Sequence, residues 1–182
     1  MKTESKTLGK VKFGAKLELR DVILLGMVIA IKIILGKFTV GSQLLQVGLG
    51  FIGSVMLGYL FGPLWGFAGG AISDLVNSAI FGNMGGFFIG FTLTAAVGPM
   101  IYGFFFYKKP VQIWRVIAAT IVVAIVCNIG MNTLWLHIMY NMPFMKTLGV
   151  RIVKEMIAPW IQMVVTWFVL QALSRVDARL RK

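Results

Sequence analysis

Of the 182 residues, 58% are hydrophobic and only 13% are charged, a balance with too little polar surface to clothe a soluble domain, so lipid is the expected solvent. The net charge of +12 does not mark a nucleic-acid binder, because the cations sit beside apolar runs and no basic groove interleaved with aromatics appears. The single cysteine, Cys127, leaves no disulfide framework or cysteine metal site within the chain and reads as a small buried apolar residue.

Residues 1–20 form a lysine-studded polar stretch unlike a short cleavable signal peptide. Apolar runs then fall at 21–36, 44–61, 63–80, 88–107, 113–140 and 152–173, each long enough to cross a bilayer with some tilt. The expected fold is therefore an all-α integral membrane bundle of six transmembrane helices over residues 21–174, with basic tails at 1–20 and 175–182. Six crossings return both termini to one side. With the N-terminus inside, the cytoplasmic cations are Lys2, Lys6, Lys10, Lys12, Lys16 and Arg20, then Lys108, Lys109 and Arg115, then Arg175, Arg179, Arg181 and Lys182. The opposite orientation puts only Lys37, Lys146, Arg151 and Lys154 inside, so the positive-inside rule predicts a multi-pass plasma-membrane protein with both termini cytoplasmic.

Small residues recur every four positions at Gly50, Ser54, Gly58 and Gly62 and again at Gly62, Gly66 and Gly70, a stripe that lets helix backbones pack closely in lipid. The step Phe61-Gly62-Pro63 breaks the second run from the third and fits a tight cytoplasmic turn. Gly82-Asn83-Met84-Gly85-Gly86 reads as an external loop.

Ionisable groups inside spans cost about 2.5–3.5 kcal/mol each at a helix centre, so each needs a reason. Three runs gather polar groups at helical spacing: Asp74, Asn77, Ser78 and Phe81 in the third; Asn128, Asn132 and Trp135 in the fifth; Arg151, Glu155, Ala158 and Gln162 in the sixth. Most fall in the outer half. They suggest a pocket open to the outside, walled by Phe38, Phe87, Phe91 and Trp135 and rimmed by Lys37, Arg151 and Lys154, suited to an anionic, partly aromatic ligand. In it, Asp74 would accept paired ring N–H bonds, Trp135 would stack, and the rim cations would hold carboxylates.

Plainer roles compete for each group. Asp74 also suits a bond to a neighbouring helix or a pairing with Lys32, and Arg151 and Glu155 stand at i, i+4, where they can neutralise each other. Lys37 and Lys154 can snorkel to the interface, and Trp135 can anchor an aromatic belt. His137 stands alone and favours a structural role over a metal site. The chain has no GxxxxGK[ST] loop, HExxH, GxSxG or paired histidines, so it is not expected to be an enzyme.

Several stretches resemble a known family. Gly26-Met27-Val28-Ile29-Ala30-Ile31-Lys32-Ile33-Ile34-Leu35-Gly36-Lys37-Phe38 is similar to the opening helix of folate-family substrate-binding (S) components of energy-coupling factor (ECF) vitamin transporters. So are Leu60-Phe61-Gly62-Pro63-Leu64-Trp65-Gly66 and Ile72-Ser73-Asp74-Leu75. Gly86-Phe87-Phe88-Ile89-Gly90-Phe91-Thr92-Leu93-Thr94-Ala95 with Ile101-Tyr102-Gly103 resembles the family's fourth helix, and Asn132-Thr133-Leu134-Trp135-Leu136 and Arg151-Ile152-Val153-Lys154-Glu155 its fifth and sixth. The likeness spans about residues 20–175. It departs at Gln46-Val47-Gly48-Leu49-Gly50-Phe51, where a serine-bearing form is more usual, and at Asn83-Met84-Gly85-Gly86, where a proline-rich turn is common.

The resemblance implies a six-helix component that binds folate outside and delivers it inward within a complex of a transmembrane coupling (T) protein and two ATPases. ATP and Mg would be used by those partners, and this chain would need no cofactor or metal of its own. It also implies that an AxxxA-type motif, here Gly26-xxx-Ala30, meets the coupling protein. The expected substrate contacts are Lys37, Phe38, Asp74, Asn77, Phe91, Thr92, Asn132, Trp135, Arg151 and Lys154. The nearest rival is the same machine with another water-soluble vitamin. A solitary secondary transporter would call for inverted repeats or broken helices in matching halves, and neither is visible. A scaffold would not need so many polar groups converging in the outer half.

Overall fold

The computed structural model describes residues 19–40, 47–82, 87–140 and 144–180. The expected N-terminal tail up to residue 18, the loop at 83–86 and the last two residues lie outside the described residues. Helix α1 (Leu19–Lys37) leads into a short antiparallel pair, β1 (Thr39–Val40) and β2 (Val47–Gly48), with Thr39 opposite Gly48. The sequence reading contained no strand here. The Leu49 N–H donates to the Phe38 carbonyl at 3.0 Å and closes the pair into α2 (Gly50–Phe81). Helix α3 (Ile89–Phe106) follows, then α4 (Ile113–Val123), a π-helical segment (Ala124–Met131), α5 (Asn132–Tyr140) and α6 (Phe144–Leu180).

Although α2 resumes directly after it, the helix path reverses at Gly62, whose φ of 80° and ψ of −173° belong to glycine. Pro63, with no N–H and a ring that clashes with the preceding turn, prevents the helix from continuing straight. The reversal is visible in the packing. A Cβ on Gly58 would lie 2.7 Å from the Pro99 carbonyl oxygen and one on Gly66 3.1 Å from the same atom, while a Cβ on Gly69 would lie 3.1 Å from a Leu57 methyl. Residues 57 and 69 of a straight helix would stand about 18 Å apart. The second and third apolar runs are thus two antiparallel arms of α2, joined at the Phe61-Gly62-Pro63 break.

Among the described residues, four helices are long and apolar enough to cross a membrane: Gly50–Phe81, Ile89–Phe106, Ile113–Met139 and Arg151–Arg175. Helix α1 is not one of the four, since Arg20, Asp21, Lys32 and Lys37 fall within its 19 residues. The six separate spans expected from the apolar runs therefore appear as fewer, longer elements. The sixth run is also extended, because α6 begins at Phe144 and carries into the segment read as a basic tail.

One core cluster joins Val55 and Tyr59 of α2, Tyr102 and Phe106 of α3, Val116, Ala119 and Val123 of α4, and Leu170 of α6. A second packs Leu25 and Val28 of α1 on Leu57 and Phe61. Large apolar side chains also point outward, among them Ile80, Phe104, Ile125, Trp160 and Phe168. An exposed apolar coat of this extent is what hydrocarbon solvates and water does not.

Candidate functional site

The site is built around Asn128, in the π-helical segment between α4 and α5. The i→i+5 bonding there, as in the Asn132 N–H to the Cys127 carbonyl, widens the turn, and such bulges are frequent at functional sites. Arg151 donates from Nη1 to the Asn128 carbonyl at 3.0 Å, and the Asn128 amide donates to Glu155 Oε2 at 3.1 Å. Arg151 and Glu155, one turn apart on α6, are thus both tied to one residue of the facing helix. The i, i+4 relation seen in the sequence becomes a cross-helix clasp.

That clasp forms one wall of a cavity of about 390 Å³. Lys32 enters from α1, Ser54 from the first arm of α2, Thr94 and Tyr102 from α3, Asn132 from α5, and Lys154 and Gln162 from α6. Its volume lies within the range of roughly 300–1,000 Å³ usual for small-molecule sites. Among the described residues, three cations, Lys32, Arg151 and Lys154, face a single carboxylate, Glu155, so this lining carries a surplus of positive charge.

A smaller cavity of about 170 Å³ is lined by Lys37, Ser73, Asp74 and Asn77 and shares Lys32, Gly50 and Ala95 with the larger one. Lys32 stands where the two meet and donates from Nζ to the Ala95 carbonyl at 3.3 Å. Helix α1 comes close enough for this because Gly53 of α2 has no side chain, and a Cβ there would run into Lys32. Asp74 accepts from the buried Thr92 hydroxyl at 2.7 Å.

The expected contacts therefore divide. Asn132, Arg151 and Lys154 line the larger cavity, and Lys37, Asp74 and Asn77 the smaller. Lys37 also lies 3.9 Å from the centroid of the Phe81 ring, the distance of a cation–π contact. Trp135, Thr92, Phe38 and Phe91 are among the lining residues of neither cavity. Trp135 turns instead to α3, where its indole N–H donates to Thr94 Oγ1 at 3.0 Å and its ring tilts on Phe88 at 5.7 Å. Phe91 meets Phe88 edge to face at 6.0 Å. Phe38 and Phe87 are 60% and 55% exposed, so they stand outside the cavities rather than walling them.

Several lining groups were absent from the expected contact set: Lys32, Ser54, Tyr102, Cys127, Asn128, Glu155 and Gln162. For Lys32 the signal was present, since a lysine in the middle of an apolar helix is a functional candidate by its cost alone. Gly26 and Ala30 lie exposed on α1, and a Cβ on Gly26 would meet nothing within 4 Å.

The family described as ECF transporter, substrate-specific component, matches residues 20–173. A folate transporter FolT of Leuconostoc mesenteroides is 35% identical over 161 residues, covering 85% of this chain and 86% of the relative. The folate transporter FolT of Clostridium novyi is 38% identical over 137 residues, 75% of this chain and 79% of the relative. Among solved structures, FolT bound with folic acid superposes with a TM-score of 0.77 at 33% identity, across 84% of this chain and 93% of that one. The S-component for biotin from an ECF-type ABC transporter superposes at 0.61 with 21% identity, covering 86% and 95%, a likeness that speaks for the fold alone. With its apolar helices, its polar interior and a family match over most of its length, the chain belongs to the substrate-specific components of ECF transporters, membrane proteins of transport and not enzymes.

Proposed function

We propose that this chain captures folate, or a closely related vitamin, from outside the cell and passes it inward when coupled to a T protein and two ATPases. The observation that carries the reading is the larger cavity, where three cations outnumber one carboxylate. Its fold matches a FolT bound with folic acid at a TM-score of 0.77. Folate is a flat heterocycle with a two-carboxylate tail, and a surplus of cations on a cavity wall is the complement such a tail requires.

On this reading α1, the two arms of α2, α3, the α4–α5 rod and α6 make six crossings of the plasma membrane, with both termini cytoplasmic by the positive-inside rule. Hydrolysis of ATP, with its Mg, takes place in the partner ATPases. The test is calorimetric titration of the purified chain in detergent with folic acid, biotin, riboflavin and thiamine. Folic acid is expected to saturate one site at the lowest concentration by a wide margin. Tighter binding of another vitamin would move the chain to that substrate and leave its place in the family intact.

Coupling is assigned to the open face of α1 at Gly26 and Ala30, since small residues let a partner helix approach closely. Gly26→Leu or Ala30→Leu is expected to leave folic acid affinity within about twofold, because neither position lines a cavity. Co-purification with the T protein and ATPases should be lost. Lost binding in the isolated variants would show that this face serves the cavity instead.

A further inference from the structure

Among the described residues, two carboxylates line the polar interior, Asp74 and Glu155. We propose that Glu155, held in place by Asn128, is the acceptor that reads paired N–H donors on the ligand's ring, and that Asp74 is not. The assignment rests on the folate-capture reading and deepens it, by naming the group that distinguishes one ring edge from another.

Volume separates the two carboxylates first. Asp74 faces the cavity of about 170 Å³, well under the roughly 300 Å³ at which small-molecule sites begin. Glu155 faces the cavity of about 390 Å³. Each accepts one bond from a neighbouring helix, and the strength of that bond separates them next. Asp74 already takes the Thr92 hydroxyl at 2.7 Å, an O–H bond to a carboxylate and therefore among the strong ones. Glu155 takes the Asn128 amide at 3.1 Å, which uses one of about four lone-pair positions that a carboxylate offers.

The third argument is pre-organisation. Asn128 holds Glu155 through its side-chain amide and Arg151 through its carbonyl, so an acceptor and a donor are fixed one helical turn apart on the same wall. Side chains so placed lie about 5–6 Å apart at their Cβ atoms. An ionised carboxylate only accepts, and a guanidinium only donates. Together they complement a heterocycle edge on which a carbonyl oxygen is followed by a ring N–H and an exocyclic amine, the edge of a pterin. Arg151 meets the carbonyl and Glu155 the two N–H groups. Lys154 and Lys32, on the same lining, are left for the carboxylate tail. Asn128 is the positioning residue of this subsite.

The test compares folic acid with its 2-desamino-2-methyl analogue, which keeps the tail and loses the exocyclic donor, by calorimetry on the full chain in detergent. Glu155→Gln is expected to weaken folic acid by about 30-fold or more and the analogue by no more than about threefold, so that the parent protein distinguishes the two ligands and the variant does not. Asp74→Asn should leave both affinities within about threefold. The assignment is overturned if Glu155→Gln leaves folic acid within about twofold, if it weakens both ligands equally, or if Asp74→Asn abolishes the discrimination. Should Glu155→Gln not purify as a monodisperse protein, Glu155→Asp, which keeps the charge and shortens its reach, is held to the same difference. A parent chain that ignores folic acid removes the proposed function as well. A parent that binds it while Glu155→Gln binds equally removes the subsite alone.

Discussion

Arg151→Ala is expected to weaken folic acid binding by about 100-fold. Arg151 lines the larger cavity and is held by the Asn128 carbonyl at 3.0 Å, so its guanidinium is partly fixed before a ligand arrives. Truncating one partner of a buried, hydrogen-bonded charge pair costs about 2–5 kcal/mol, much of it from the charge left without a partner. Truncation here leaves the carboxylate of Glu155, one turn away on the same helix and clasped to the same asparagine, without its neighbouring cation, and takes the donor from the ring carbonyl of the ligand. Arg151→Lys should recover only about tenfold of the loss, because an ammonium is a point charge and lacks the planar fork of the guanidinium. Calorimetry on the three proteins decides the matter. An alanine variant within about threefold of the parent would place the ring carbonyl elsewhere on the lining.

A large loss of stability is expected on substituting Gly103. A Cβ there would lie 2.5 Å from the Pro63 nitrogen and 2.7 Å from the Gly62 carbonyl carbon, and one on the facing Gly58 would lie 2.6 Å from the Gly103 nitrogen. These neighbours are backbone atoms, and no rotamer change moves them away. Gly103→Val must therefore push α3 from the α2 reversal, at about 3 kcal/mol, the upper part of the range for overpacked sites. For a chain of this length that corresponds to a fall of roughly 6–12 °C in the unfolding temperature in detergent. Gly26→Ala is the control, since nothing lies within 4 Å of its added Cβ. It should stay within about 1 kcal/mol of the parent and raise stability if it moves it at all. Equal losses at both positions would mean that the close approach of α2 and α3 carries no particular weight.

The features legible from the residues are those that a local rule dictates. Gly62-Pro63 breaks the apolar pattern because proline cannot continue a helix, and the chain turns there, with Gly62 at φ 80°. The four-residue spacing of Gly58, Gly62, Gly66 and Gly70 predicts close backbone packing, and a Cβ at Gly58 or Gly70 would collide with α3 while one at Gly66 would crowd it. Partners are harder to read than faces. Asn128 and Asn132 line the larger cavity together, whereas Trp135, one turn further along α5, is not among its lining residues and donates to Thr94, which is. Asp74 and Arg151 lie on faces turned inward, as their spacing required, yet periodicity names a face and not the cavity it meets. Lys32, which the residues offer as one possible partner for Asp74, belongs to both cavities. Its position depends on a gap left by Gly53 on another helix, which no pattern within α1 reveals.

The seam of glycines between α2 and α3 has a mechanical consequence. Where main chains abut, there is no cushion of side chains to rearrange, so the two arms of α2 and α3 form a stiff keel that responds to load as a single piece. The larger cavity has that keel on one flank and the widened turn around Asn128 on the other.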